Sequence, residues 1–124
     1  MKQEQDIKLS VVIPVYNKQE YLEVCMKSVF AQDLNGIEAI AVDDGSTDGS
    51  GDILDHLTSS YPSLRVIHTT NGGVTAARRI GVEAARGRYV TFVDPDDKVV
   101  EHGLDKLYNA IVSTDADEVI GTYR

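Results

Sequence analysis

Asp94-Pro95-Asp96-Asp97 puts three carboxylates into four residues, directly after the apolar run Arg88 to Val93 (RYVTFV). A second acidic group, Asp43-Asp44 with Asp48 close behind, follows another apolar run, Ile37 to Val42. Carboxylates brought this close repel one another, which raises some of their pKa values and calls for positive charge. Hard oxygen ligands with no His or Cys beside them favour Mg²⁺ or Mn²⁺. A cation held by one or two carboxylates completes its shell with water and substrate phosphates. The candidate ligands are Asp94, Asp96 and Asp97, and the expected companion is a diphosphate. A plain turn and helix N-cap would account for one Asp of this loop and leave two unexplained.

Two more polar clusters end apolar runs: Tyr16-Asn17 after Leu9 to Val15 (LSVVIPV), and Asn71-Gly72-Gly73 after Leu64 to His68. Asp43 or Asp44 could accept hydrogen bonds from a base or ribose, as an acidic residue at a strand end does in dinucleotide-binding folds. The competing reading is an ordinary turn, with Gly45 supplying an unusual backbone angle and Ser46 or Thr47 capping the next helix. Gly72 and Gly73 let backbone approach a ligand, and Arg78 could meet a phosphate, although a surface Arg is more often a solvated charge. Tyr16 could stack on a base or simply close the core. Neither G-x-G-x-x-G after the first strand nor a P-loop occurs. His56, His68 and His102 are not spaced as a metal set and read as surface or helix-end residues.

Four helical segments must position these clusters. Asn17 and Glu20 have the spacing of a capping box ahead of Leu22, Cys25, Met26 and Val29, which makes Cys25 a core residue. Ile53, Leu54 and Leu57 mark a second helix. Ala77, Ile80, Gly81 and Ala84 give a third helix a small-residue face suited to close packing, with Gly87 closing it. Leu104, Leu107, Tyr108 and Ile111 mark a fourth, and Glu118 to Gly121 reads as a fifth strand. Such alternation implies right-handed crossovers and a mostly parallel sheet of about five strands with helices on both faces, a three-layer α/β/α sandwich. Ligands bind such sheets outside the carboxyl ends of the strands, where all four polar clusters lie.

At 124 residues, 42% apolar and 26% charged, the chain suits one domain, here 9–124 behind a tail at 1–8. A net charge of −8 with scattered basic residues argues against nucleic acid as a partner. Cys25 is the only cysteine, so no internal disulfide forms, and a reducing, cytoplasmic setting fits. No stretch has the length of a membrane span.

Taken together, Val12-Ile13-Pro14-Val15-Tyr16-Asn17, Val42-Asp43-Asp44-Gly45-Ser46-Thr47-Asp48, Asn71-Gly72-Gly73 with Ala77-Arg78, and Phe92-Val93-Asp94-Pro95-Asp96-Asp97 resemble the family-2 glycosyltransferases of the GT-A, Rossmann-like fold, from Leu9 to about Gly121. The resemblance implies sugar transfer, with inversion, from a UDP- or GDP-linked donor to a glycan or lipid-linked acceptor, in polysaccharide or glycoconjugate synthesis and with Mg²⁺ or Mn²⁺. It implies that Pro14, Tyr16 and Glu20 border the nucleotide pocket, and that Asp44, with Asp43, contacts the base. Asn17, Gly73 and Arg78 join the donor contacts. Asp94 and Asp96 match the D-x-D pair that holds ribose and metal-bound diphosphate, with Asp97 as an additional ligand. The general base and the acceptor portion are expected beyond residue 124. The chain therefore reads as a C-terminally truncated part of a longer enzyme, inactive in transfer alone, whose parent sits at the inner face of a membrane. Arg79 stands where the family often has Asn. The alternatives are a catalytically inactive nucleotide-sugar-binding module and a phosphoacceptor signalling domain. The latter would carry an acidic pair after the first strand and a Lys after the fifth, and this sequence has neither.

Overall fold

Leu9–Val15 forms β1, and every one of its seven residues is buried, as a strand covered on both faces requires. Around it, a computed structural model describes residues 7–32 and 35–113 and the backbone of 122–123. The order is β1, α1 (Leu22–Phe30), β2 (Ile37–Asp44), α2 (Ser50–Leu57), β3 (Leu64–Thr69), α3 (Val74–Ala84), β4 (Tyr89–Val93), α4 (Gly103–Ser113) and the two-residue β5 (Thr122–Tyr123). The strands lie as β3-β2-β1-β4-β5 and every pair is parallel.

The chain steps from β1 outward to β3 and then returns to the far side of β1 for β4, so the strand order reverses between β1 and β4. Register shows how the sheet opens there. β1 pairs with β2 from Leu9↔Ile37 to Val15↔Asp43, but with β4 only from Leu9↔Tyr89 to Val12↔Phe92. Pro14, which has no N–H to donate, lies in the stretch that β4 no longer accompanies.

One core cluster joins Leu9, Val11, Ile13 and Val15 to Cys25 and Met26 of α1, Leu54 of α2 and Leu104 of α4. A second joins Ile40 and Val42 to Ala77, Ile80 and Ala84, which places α3 on the opposite face and completes the three layers. The small-residue face of α3 has a steric reason. A Cβ on Gly81 would stand 2.3 Å from Val12 Cγ1, so only hydrogen lets the helix lie this close. At the sheet end away from the polar clusters, buried Glu38 accepts hydrogen bonds from Ser10 Oγ (2.6 Å), the Arg86 backbone N–H (2.7 Å) and Arg65 Nη2 (3.0 Å). Burial works to raise its pKa, but these bonds together lower it, and the carboxylate ties β1, β2, β3 and the α3–β4 connection into one frame.

Several boundaries differ from the sequence expectations. α1 starts at Leu22 with Tyr21 as N-cap and no side-chain cap, so Asn17 and Glu20 form no capping box. α2 starts at Ser50 after Gly49, and neither Ser46 nor Thr47 caps it. Asp48 Oδ1 accepts the Ser50 N–H instead, at 2.9 Å. α3 ends at Ala84, and the extended backbone of its C-cap Ala85 (φ −68, ψ 140) stops the helix before Gly87. Gly87 lies against β1, where a Cβ would stand 2.7 Å from the Ser10 backbone N. β2 extends through Asp43 and Asp44. The fifth strand expected at Glu118 to Gly121 falls outside the described residues. No helix among the described residues is long and apolar enough to cross a membrane.

Candidate functional site

Where β1 and β4 part, a cleft of about 380 Å³ opens at their carboxyl ends. Pro14, Tyr16 and Lys18 line it from β1 and the loop that follows, Asp44 from β2, and Asp94 and Asp96 from the loop after β4. Val74 and Ala77 of α3 supply apolar wall. Tyr16 is 45% exposed, so part of its ring is available at the cleft.

Asp44 is buried and its two oxygens hold the loop before α3: Oδ1 accepts the Gly72 N–H at 2.8 Å and Oδ2 the Gly73 N–H at 3.0 Å. These donors precede a helix and have no intrahelical partner, so the carboxylate satisfies them and places the α3 N-terminus beside the cleft. Gly73 has φ +95 and Gly45 φ +70, positions that suit glycine, and a Cβ on Gly45 would stand 2.6 Å from the Asn71 backbone N.

Asn17 does a different task from the one its spacing suggested. With φ +52 it turns back, its Oδ1 accepts the N–H groups of Thr47 (2.8 Å) and Asp48 (3.2 Å), and its Nδ2 donates to Thr47 Oγ1 (3.1 Å). Gln19 Oε1 accepts the Gly49 N–H at 2.7 Å. The β1–α1 and β2–α2 loops are thereby fastened into one wall.

Asp43 is not among the cleft-lining residues. Its Oδ1 accepts the Ser46 N–H (3.1 Å) and its Oδ2 meets His68 Nδ1 (2.8 Å), while His68 Nε2 meets Asp55 Oδ1 (2.8 Å). The expected mutual raising of carboxylate pKa values fails for Asp43 and Asp48. Burial pushes Asp43 up, but hydrogen bonds from Ser46 and His68 outweigh it, and for Asp48 the bonds from Ser50 likewise outweigh desolvation. His68 is not a bare surface residue: its bonds to Asp43 and then Asp55 raise its pKa. A raised His stabilises fully below its ordinary value of 6.5 and loses that contribution as pH climbs through the folded value. Depressed Asp43 stabilises above its ordinary 3.8 and loses its part as pH falls through the lower folded value. Urea unfolding at about pH 6 and about pH 8.5 is therefore expected to show a loss of stability that His68→Gln largely removes. An unchanged loss in the variant would place its source elsewhere.

The loop after β4 carries the acidic cluster. One ligand oxygen from each of Asp94, Asp96 and Asp97 lies within 4.8 Å of the others. The Asp97 N–H donates to the Asp94 carbonyl at 3.0 Å, folding the loop so that its side chains converge. Lys18 Nζ reaches Asp96 Oδ2 at 3.6 Å, and Arg78 Nη2 lies 4.0 Å from Asp94 Oδ1 with its guanidinium over the Phe92 ring. Asp97 Oδ2 is buried with no donor among the described residues. Three convergent carboxylates, one of which carries an unsatisfied oxygen, match the donor chemistry of Mg²⁺ or Mn²⁺. Beneath the loop, burial first and then Asp97, Asp96 and Asp94 push the Cys25 thiol up to about 12, so it is an inert core group.

Of the residues expected from sequence, Pro14, Tyr16, Asp44, Asp94 and Asp96 share the cleft, with Asp97 adjoining through the cluster. Asn17, Asp43 and Gly73 shape its walls from behind, Arg78 braces Asp94, and exposed Glu20 does not line it. Sequence reasoning missed Lys18 and Val74. Lys18 had one available signal, its place two residues beyond Tyr16 at a strand end.

A family model described as glycosyl transferase family 2 matches residues 10–124. The chain is 44% identical over 116 residues to glycosyltransferase GlyG of Streptococcus pneumoniae serotype 4, covering 93% of this chain and 38% of that one. Its fold superposes on S. aureus TarS 1–349 in complex with UDP-GlcNAc with a TM-score of 0.78 at 32% identity, over 86% of this chain and 32% of that one. It also superposes on the mannosyltransferase PcManGT from Pyrobaculum calidifontis, in complex with GDP-Man and Mn²⁺, with a TM-score of 0.76 at 25% identity, over 86% and 32%. The chain thus spans well under half the length of these relatives. With the match running through all four strand-end motifs, the chain belongs to glycosyl transferase family 2.

Proposed function

We propose that this chain forms the donor half of a metal-dependent, inverting glycosyltransferase, binding a UDP- or GDP-linked sugar in the cleft between β1 and β4. The observation that carries the reading is the meeting of Tyr16 and Asp44 with the Asp94, Asp96 and Asp97 carboxylates at one sheet edge. Tyr16 offers a face to the base and Asp44 an acceptor for its N–H groups. Asp94, Asp96 and Asp97 would hold Mg²⁺ or Mn²⁺, which when bound supplies positive charge against the negative charge gathering on the departing nucleoside diphosphate. Arg78 braces Asp94, and Asn17 fixes the wall that carries Tyr16. In the transfer, the acceptor oxygen bonds to the anomeric carbon as the bond to the diphosphate oxygen breaks, and the acceptor proton passes to a base. The acceptor is a glycan or lipid-linked hydroxyl, reached in the cytoplasm, and its recognition belongs to the longer enzyme.

Calorimetric titration of the chain with UDP, GDP and their sugar conjugates tests this. Binding of at least one of them is expected to strengthen about ten-fold or more when Mn²⁺ is added. No binding of any, with or without metal, would overturn the donor-site reading.

A further inference from the structure

Lys18 is the basic residue among those lining the cleft, and its ammonium reaches from the β1–α1 loop across to Asp96 Oδ2 at 3.6 Å. Its backbone is fixed, since its N–H donates to Ser50 Oγ at 2.9 Å, whereas its side chain is 38% exposed and can swing. We propose that Lys18 is an exchangeable counter-ion: a divalent cation displaces it from Asp96, and the displaced ammonium then neutralises the diphosphate of the donor. This rests on the donor-binding reading above.

The exchange follows from charge. A divalent cation at Asp94, Asp96 and Asp97 and an ammonium on Asp96 would occupy neighbouring ground and repel each other, while an exposed ion pair of this kind is weak and readily yields. A diphosphate then adds negative charge to an edge that already holds three aspartates, more than one divalent cation offsets. Arg78 is engaged with Asp94 and lies over Phe92, whereas Lys18 is a flexible point charge already in the cleft. Lys18 therefore opposes the metal alone and assists metal and diphosphate together.

The opposite signs make the test. In Lys18→Met, Mn²⁺ alone, followed by its EPR signal, is expected to bind about three-fold more tightly, because a competing cation is gone. With Mn²⁺ saturating, whichever of UDP or GDP the native chain binds is expected to bind about five-fold more weakly, and Lys18→Arg to recover most of that loss. A merely structural lysine would weaken both or neither. Mn²⁺ affinity unchanged or lowered in Lys18→Met would overturn the exchange, as would an unchanged nucleotide affinity. If the native chain bound both ligands and the variant matched it, the Lys18 assignment alone would fall. If the native chain bound neither Mn²⁺ nor nucleotide, the donor-site reading would fall and this one with it.

Discussion

Asp96→Asn is expected to lower the proposed Mn²⁺-dependent nucleotide binding by about 100-fold or more while leaving the fold intact. Asp96 is exposed, and among the described residues no backbone donor depends on it and its ion-pair partner, Lys18, lies at the surface, so its removal costs little stability. Its loss takes one full negative charge and one oxygen from a three-carboxylate set whose ligand atoms lie within 4.8 Å of one another. Asp52→Asn, an exposed carboxylate on α2, is the charge-matched control and is expected to bind as the native chain does. The measurement is the same calorimetric titration with and without Mn²⁺, together with thermal unfolding. A variant that kept metal-dependent affinity would show that the cluster is only a turn.

Asp44→Ala is expected to act on both stability and binding. The carboxylate is 4% exposed and accepts from both Gly72 and Gly73, so the alanine leaves two backbone donors without partners at the start of α3. Losing charge-assisted bonds and stranding donors costs about 3 kcal/mol, equivalent to a fall in Tm on the order of 10 °C for a domain of this size. Asp44→Asn recovers little of it, because one amide end presents N–H₂ to an N–H. On the proposed function, nucleotide affinity is expected to fall as well, since the acceptor at the cleft and the α3 N-terminus are lost together. A Tm shift of less than about 2 °C would show that the loop before α3 holds itself in place without Asp44.

The layering and the shared edge were legible in the sequence for one reason. Apolar, β-branched runs alternating with helical periodicity leave a parallel sheet as the economical solution, and parallel strands bring their carboxyl ends together whatever their separation along the chain. That is how the sequence alone groups Tyr16, Asp44, Asp94 and Asp96. The division of labour among the carboxylates was not legible. Whether an Asp faces a ligand or a loop depends on where unpaired backbone N–H groups fall, and those of Ser46, Gly72 and Gly73 are placed by turns whose geometry spacing does not specify. Asn17 misled for a related reason. Its spacing to Glu20 fits a cap, but its left-handed backbone turns the amide onto Thr47 and Asp48, thirty and thirty-one residues away. His68 looked idle because its two carboxylate partners lie on β2 and α2.

The strand order also bears on how the molecule is made. β1 is synthesised before β2, β3 and β4, yet it lies between β2 and β4, and β4 spans Tyr89–Val93. During translation β1, β2 and β3 can pair as soon as they emerge, but the other edge of β1, Leu9 to Val12, has no partner until residues past 89 have left the ribosome. An apolar edge left bare for that interval invites pairing with other chains. The cleft has one bank on β1 and the other beyond β4, so the binding site comes into being only when that edge is closed. A nascent chain slowed before residue 93 would thus be exposed to aggregation and unable to be rescued by its own ligand.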